Sequence, residues 1–297
     1  MNDEGGIMIA AEKEKSYSAF REALYKLKSH KMAVLGLSVW IAEILLMLLL
    51  PVIFNLQPNV SDPLAFRAAP SAQHILGTDS IGRDLLARLI YGGQTSLFVG
   101  IVSSLIGLLI GVPVGLYAGY YRGWVEALIM RTADVAMSIP SMILILVLVS
   151  VVGPSIWSVT IVIGVLGWTQ FARIIHANVL SVSQKEYVEA ARAIGASNLE
   201  IIYKYILPNS FAPVLIAVTF QAANAIIMES ALSFLGMGVQ PPQASWGNML
   251  YDAQSITVLS SKPWVWLPPG IAIVITVLSI NFFGDGIRDV LDPRIKI

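Results

Sequence analysis

Ser183-Gln184-Lys185-Glu186-Tyr187-Val188-Glu189-Ala190-Ala191-Arg192-Ala193-Ile194-Gly195 is followed by Ala196-Ser197-Asn198-Leu199-Glu200 and then by Tyr205-Ile206-Leu207-Pro208. This charged stretch lies between two runs that are almost wholly apolar. Ser183 with Glu186, and Ser197 with Glu200, have the spacing of capping boxes. Gly195 stands where a first helix would close in a left-handed cap, and Pro208 where a second would end. The stretch predicts helix, glycine turn, helix, over 183–208. Both helices are too short and too charged to cross a bilayer. A rigid knob of this kind can dock a partner; a solvated hairpin with no partner is the plainer alternative.

Outside it the apolar residues gather in blocks. Hydrophobic residues make up 56% of the 297 and charged residues 13%, against about 25% charged in soluble domains. A helix crossing the hydrocarbon core needs about 20 apolar residues. Six segments qualify: Ala33–Phe54, Ser96–Tyr117, Ala133–Val152, Ile156–Ile175, Pro213–Leu235 and Trp266–Phe283. The fold class is therefore all-α, a polytopic membrane protein with six transmembrane helices. If the spans alternate, fifteen Lys and Arg fall on one side and Arg67, Arg83, Arg88 and Lys262 on the other. The positive-inside rule then puts both termini in the cytoplasm. The first apolar block begins late and is too long for a cleaved signal peptide.

Composition excludes several functions. Nineteen basic and nineteen acidic residues cancel, so no nucleic-acid partner is expected. With no cysteine there is no disulfide, thiol nucleophile or iron–sulfur site. His30, His74 and His176 are scattered and build no metal centre. No Gly-Lys dipeptide and no HExxH occurs, so neither a P-loop nor a zinc-protease motif is present. No catalytic, cofactor-binding or metal-binding residues are assigned, and no cofactor is expected.

Single features carry further expectations. Phe20–Lys31 is basic and amphipathic, with Phe20, Leu24 and Leu27 on one face, and residues 1–32 read as a cytoplasmic interfacial segment. Leu85, Leu86, Leu89 and Ile90, ended by Gly92-Gly93, predict a short surface helix on the outer side. Trp246, in Ser245-Trp246-Gly247, suits a membrane interface. Gly107, Gly111, Gly115 and Gly119 line one helix face, for close packing or, alternatively, a hinge beside Pro113. Arg131 and Asp134 have the spacing to pair on one face. Glu43 lies mid-span and needs a partner or water. Gln221, Asn224 and Glu229 fall on one broad face of span five. They are candidates for a translocation pathway, a buried hydrogen-bond network being the alternative.

Glu189-Ala190-Ala191, three residues, Gly195, nine residues and Tyr205-x-Leu207-Pro208 together resemble the EAA motif of ATP-binding-cassette importer permeases. Tyr205 replaces the usual Ile. His74–Asp84 is similar to the HxLGTDxxGRD signature of the dipeptide/oligopeptide permease subfamily. Glu229–Gly236 with Gln240-Pro241-Pro242 and Ser245-Trp246-Gly247 resembles another of its blocks, and so does the run from Gly284-Asp285-Gly286 through Arg288-Asp289 to Asp292-Pro293-Arg294. The resemblance covers nearly all of 20–297. It implies a type I importer permease fold over 33–297, in the second permease subunit of a peptide transporter, and no enzymatic activity. It further implies a homologous permease, two cytoplasmic ATP-binding subunits, an extracytoplasmic solute-binding protein and a peptide substrate, in a lipid membrane. Glu189, Ala190, Ala191, Arg192, Gly195, Leu207 and Pro208 become the ATPase-coupling loop. Gly284–Arg294 becomes a short cytoplasmic segment contacting that loop or an ATPase. Nickel chelates, glutathione or another small solute are alternative substrates, and a polytopic membrane enzyme is the alternative class.

Overall fold

The computed structural model describes residues 25–291, so the contacts of Phe20 and Leu24, and the segment from Asp292 on, lie outside the described residues. Within them the chain is helical, with two isolated bridges, Ser61 with Arg83 and Thr78 with Asp84, and no strand. The long helices are α1 (Lys31–Ile53), α2 (Leu85–Tyr121), α3 (Gly123–Ser138), α4 (Ser141–Val152) and α5 (Ile156–Val182). The charged stretch forms α6 (Glu186–Ala193), α7 (Asn198–Glu200), a π-helical segment Ile201–Ile206 and α8 (Leu207–Ser210). Then come α9 (Ala212–Phe234), α10 (Trp246–Leu250), α11 (Ile256–Ser261) and α12 (Pro263–Leu291). Five of these helices are long and apolar enough to cross a membrane, and α3 with α4 makes a sixth span if the bent pair counts as one.

Close packing of α2 on α5 is the axis of the fold. Gly107 faces the backbone of Gly164 and Gly167, and Gly119 faces Val179. A Cβ on Gly111 or Gly115 would collide with the carbonyls of Trp168 and Ala172. The four-residue glycine stripe is thus a helix-packing surface inside the chain. Helix α1 packs on α12, with Gly36 against Ser279 and Phe282 and Gly286 against Ala33. Glu43 finds its partner there: Thr276 donates its hydroxyl to the carboxylate at 2.9 Å.

The structure corrects several sequence expectations. Leu85–Ile90 is no separate surface helix but the first turns of α2. Gly92 and Gly93 do not end it, because their missing side chains admit the Ser245 backbone and the Met47 and Trp246 side chains. Trp246 is fully buried rather than interfacial. Its indole N–H donates to the Leu89 carbonyl at 3.0 Å. The third span is not one straight helix: α3 and α4 meet at 90° around Ile139-Pro140, where proline offers no N–H to continue the ladder. Pro208 does not end the second loop helix. The π segment precedes it, with the Leu207 N–H reaching back to Ile202, and the helical path continues past a single break at Phe211 into α9. Gly284–Leu291 is the last part of α12, and there Asp289 lies 3.0 Å from His30, the cap residue of α1.

Candidate functional site

Helix α6 is short, but its sequence fits both of its surroundings. Glu186 and Glu189 occupy the first turn and Arg192 the last, as the helix dipole favours. Val188 and Ala191 point inward, into a cluster with Phe171, Ile175 and Val179 of α5, Ile201, Ile202 and Ile206 of the π segment, and Val112 and Leu116 of α2. Glu189, Ala190 and Arg192 are exposed. Ala191 is therefore an internal contact, and only Glu189 and Ala190 of the EAA triplet form the outer surface. Arg192 lies over the Tyr120 ring at 5.5 Å, and the Tyr120 hydroxyl donates to Asn198 at 2.7 Å. Beside them is a polar cleft of about 320 Å³ lined by Tyr120, Arg122, Ser183, Gln184, Glu189 and Arg192.

The turn after α6 is left-handed at Gly195, with φ +87°. Ser197 accepts the Glu200 N–H and starts α7. The Ser183–Glu186 box does not form. Lys185 is the cap residue of α6, and Ser183 instead donates its hydroxyl to the Val179 carbonyl at 2.5 Å, closing α5. Leu207 packs against the internal cluster while Pro208 is exposed.

The three polar residues of span five separate. Gln221 and Asn224 line a cleft of about 290 Å³ with Thr169 and Gln170 of α5, Met228, and Met137, Ile139, Pro140 and Ser141 at the α3–α4 break. Glu229 is elsewhere, fully buried. It accepts hydrogen bonds from Ser96 at 2.9 Å and Ser233 at 2.7 Å. Ser96 also accepts the Trp246 N–H, and Ser233 the Val239 N–H, so the carboxylate ties α2 and α9 to the segment that carries α10. There Ser245 and Asn248 form a complete capping box.

A second polar knot had no reading in the sequence beyond its motif. Asp84 caps α2 by accepting the Ala87 N–H at 2.8 Å, and its other oxygen binds His74 at 2.9 Å. Asp79 accepts from the backbone of Ile81 and Arg83 and from the Arg83 side chain at 2.7 Å. Buried Arg88 approaches the same carboxylate at 3.5 Å. Arg131 and Asp134 do not pair; Asp134 binds Arg173 of α5 at 2.5 Å. Among the described residues no group of three or more His, Cys, Asp or Glu could hold a metal ion. Each histidine instead hydrogen-bonds a carboxylate: His30 to Asp289, His74 to Asp84 and His176 to Glu126.

A helical bundle with apolar outer faces, a broken span beside an uncharged cleft of mixed lining and a charged helical knob fits a membrane transport subunit. The chain belongs to the family of binding-protein-dependent transport system inner membrane components, whose model matches residues 111–297. It is the permease subunit of an ABC importer and not an enzyme. A Brucella suis biovar 1 protein, provisionally named a peptide permease, is 42% identical over 90% of this chain and 89% of its own length. The dipeptide transport system permease protein of Alkalihalophilus pseudofirmus is 38% identical over 94% and 91%. Among solved structures, a chain of the inward-facing MetNI methionine ABC transporter superposes with a TM-score of 0.60 at 22% identity, covering 70% of this chain and 98% of that one. These agree with the fold and class read from the sequence.

Proposed function

We propose that this permease forms, with a homologous permease, the translocation pathway for di- and oligopeptides, and that the cleft at the α3–α4 break is its share of that pathway. The observation that carries the reading is the break itself. Helix α4 has 12 residues, about 18 Å at ~1.5 Å per residue, too short for a hydrocarbon core of about 30 Å. Ile139-Pro140 then lies at membrane depth, where open backbone is tolerated only against protein or a water-filled cavity. The exposed side chains of Gln170, Asn224 and Ser141 share that cleft. Carboxamides match peptide N–H and C=O groups without selecting side chains, and no lining residue of this cleft is charged. The names of the similar permeases support peptides as the substrate class.

In the same reading α6 docks a cytoplasmic ATP-binding subunit, with two such subunits in the complex and a solute-binding protein on the opposite side. Both termini are cytoplasmic, following the bias of basic residues. Glu189, Ala190, Arg192 and Gly195 make or shape the contact; Ala191 and Leu207 hold the loop in place, and Pro208 lies on its exposed side. The test is labelling of an Asn224→Cys variant in the assembled transporter by a membrane-impermeant thiol reagent, with and without nucleotide, alongside uptake of a labelled dipeptide. Nucleotide-dependent labelling and uptake support the pathway. Uniform protection in every state rejects it, and competition by a nickel chelate instead of peptides rejects the substrate class.

A further inference from the structure

Helix α3 is lightly attached. Ala133 is its buried residue, while Trp124, Leu128 and Val135 are exposed. Two polar ties fasten it to α5: Glu126 to His176 at 2.8 Å and Asp134 to Arg173 at 2.5 Å. Arg173 and His176 are three positions apart, so one face of α5 serves both. The neighbouring α5 residues Phe171, Ile175 and Val179 belong to the cluster that holds Val188 and Ala191 of α6. At its other end α3 runs into the Ile139-Pro140 elbow, and Met137, Ile139 and Pro140 line the cleft. A single stretch of α5 therefore shares one apolar cluster with the π segment and α6, holds α3 by two polar pairs, and α3 ends at the cleft.

We propose that Glu126 and Asp134, through His176 and Arg173, are positioning residues that carry a displacement of α6 to the Pro140 elbow, so that the cleft changes shape with the nucleotide cycle. The inference rests on the reading of α6 as the ATPase contact and of the cleft as pathway. The parts suit the task. The Arg173–Asp134 side chains are each 49% exposed, and such pairs contribute little to stability, so this one can form and break without unfolding the chain. The elbow lacks the Pro140 N–H that would stiffen it. The apolar cluster that α6 shares with the π segment and α5 transmits displacement because packed interiors compress little.

The experiment uses the complete transporter in liposomes, with Asp134→Asn, Arg173→Met and the exchange Asp134→Arg/Arg173→Asp. Uptake, ATP hydrolysis and nucleotide-dependent labelling of Asn224→Cys are measured. The single variants should assemble and hydrolyse ATP as the parent does, yet lose about two- to fivefold in uptake, the range a half-exposed ion pair can supply. Their cysteine labelling should no longer depend on nucleotide, and the exchange should restore both. Unchanged uptake in the single variants overturns the proposal. So does a parallel loss of uptake and hydrolysis, or an assembled exchange that restores nothing. If Asn224→Cys never labels in the otherwise unaltered chain, the pathway reading fails. If it labels with the same nucleotide dependence in parent and Asp134→Asn, only the α3 link fails.

Discussion

His74 is hydrogen-bonded at 2.9 Å to Asp84, whose other carboxylate oxygen caps the 37-residue helix α2. One side chain thus starts the longest helix of the fold and pins the loop before it. Asp84→Ala removes both contacts. A lost cap costs about 0.5–2 kcal/mol, so the apparent Tm of the purified complex should fall by a few degrees. Asp84→Asn can still cap and should fall less. Equal losses in the two variants would mean that the cap contributes nothing.

The glycine stripe of α2 allows a sharper contrast. Gly111→Leu and Gly115→Val place side chains against the Trp168 and Ala172 carbonyls of α5, where backbone must move. Overpacking costs about 1–3 kcal/mol and occasionally more. Both variants should give little monodisperse protein in size-exclusion chromatography. Gly270→Ala, in α12, meets nothing within 4 Å and should behave as the parent.

How much of this was legible follows from what each residue responds to. Apolar length alone marked the spans, because hydrocarbon is a uniform solvent that every lipid-facing residue meets. Gly195 was legible because its left-handed turn is a local backbone requirement. The start of α2 was not, since Gly92 and Gly93 weaken a helix locally and are overruled by Trp246 and Ser245, far off in sequence. The partner of Asp134 was misread for the same reason: helical spacing offered Arg131, and tertiary packing supplied Arg173. Of the candidate pathway residues, Gln221 and Asn224 reach one cleft, while Glu229 goes to serines of α2 and α9. No helical wheel distinguishes these, because all three are polar residues in an apolar helix. Pro140 was visible, but its 90° elbow depends on where α3 docks.

Glu229 makes a discriminating target. Its carboxylate accepts from Ser96 and Ser233 and is sealed from solvent. Glu229→Leu would strand both hydroxyls, and an unsatisfied buried polar group costs about 1–3 kcal/mol. Assembly yield and thermal stability should drop. Glu229→Gln keeps an acceptor of nearly the same shape and should assemble and take up dipeptide near the parent level. A Gln variant that is stable and inactive would assign Glu229 to transport rather than to structure.

The α6 turn separates backbone strain from surface charge. Gly195 has φ +87° and nothing near its absent side chain, so substitution there meets conformational strain without a clash. Left-handed backbone costs most residues about 1–2 kcal/mol, and Asn less. Gly195→Val should redirect the chain into Ser197 and α7, lowering ATPase co-purification and uptake together. Gly195→Asn should retain most of both. Glu189→Lys leaves the fold alone, since Glu189 is exposed on the outer face of α6, and reverses one charge at the proposed contact. It should weaken co-purification more as salt is lowered, because like-charge repulsion is screened over about 10 Å at 0.1 M. Its thermal stability should fall only by the helix-end charge contribution, about 0.3–1 kcal/mol. If Gly195→Val and Glu189→Lys both assemble and transport at the parent level, α6 is not the ATPase contact.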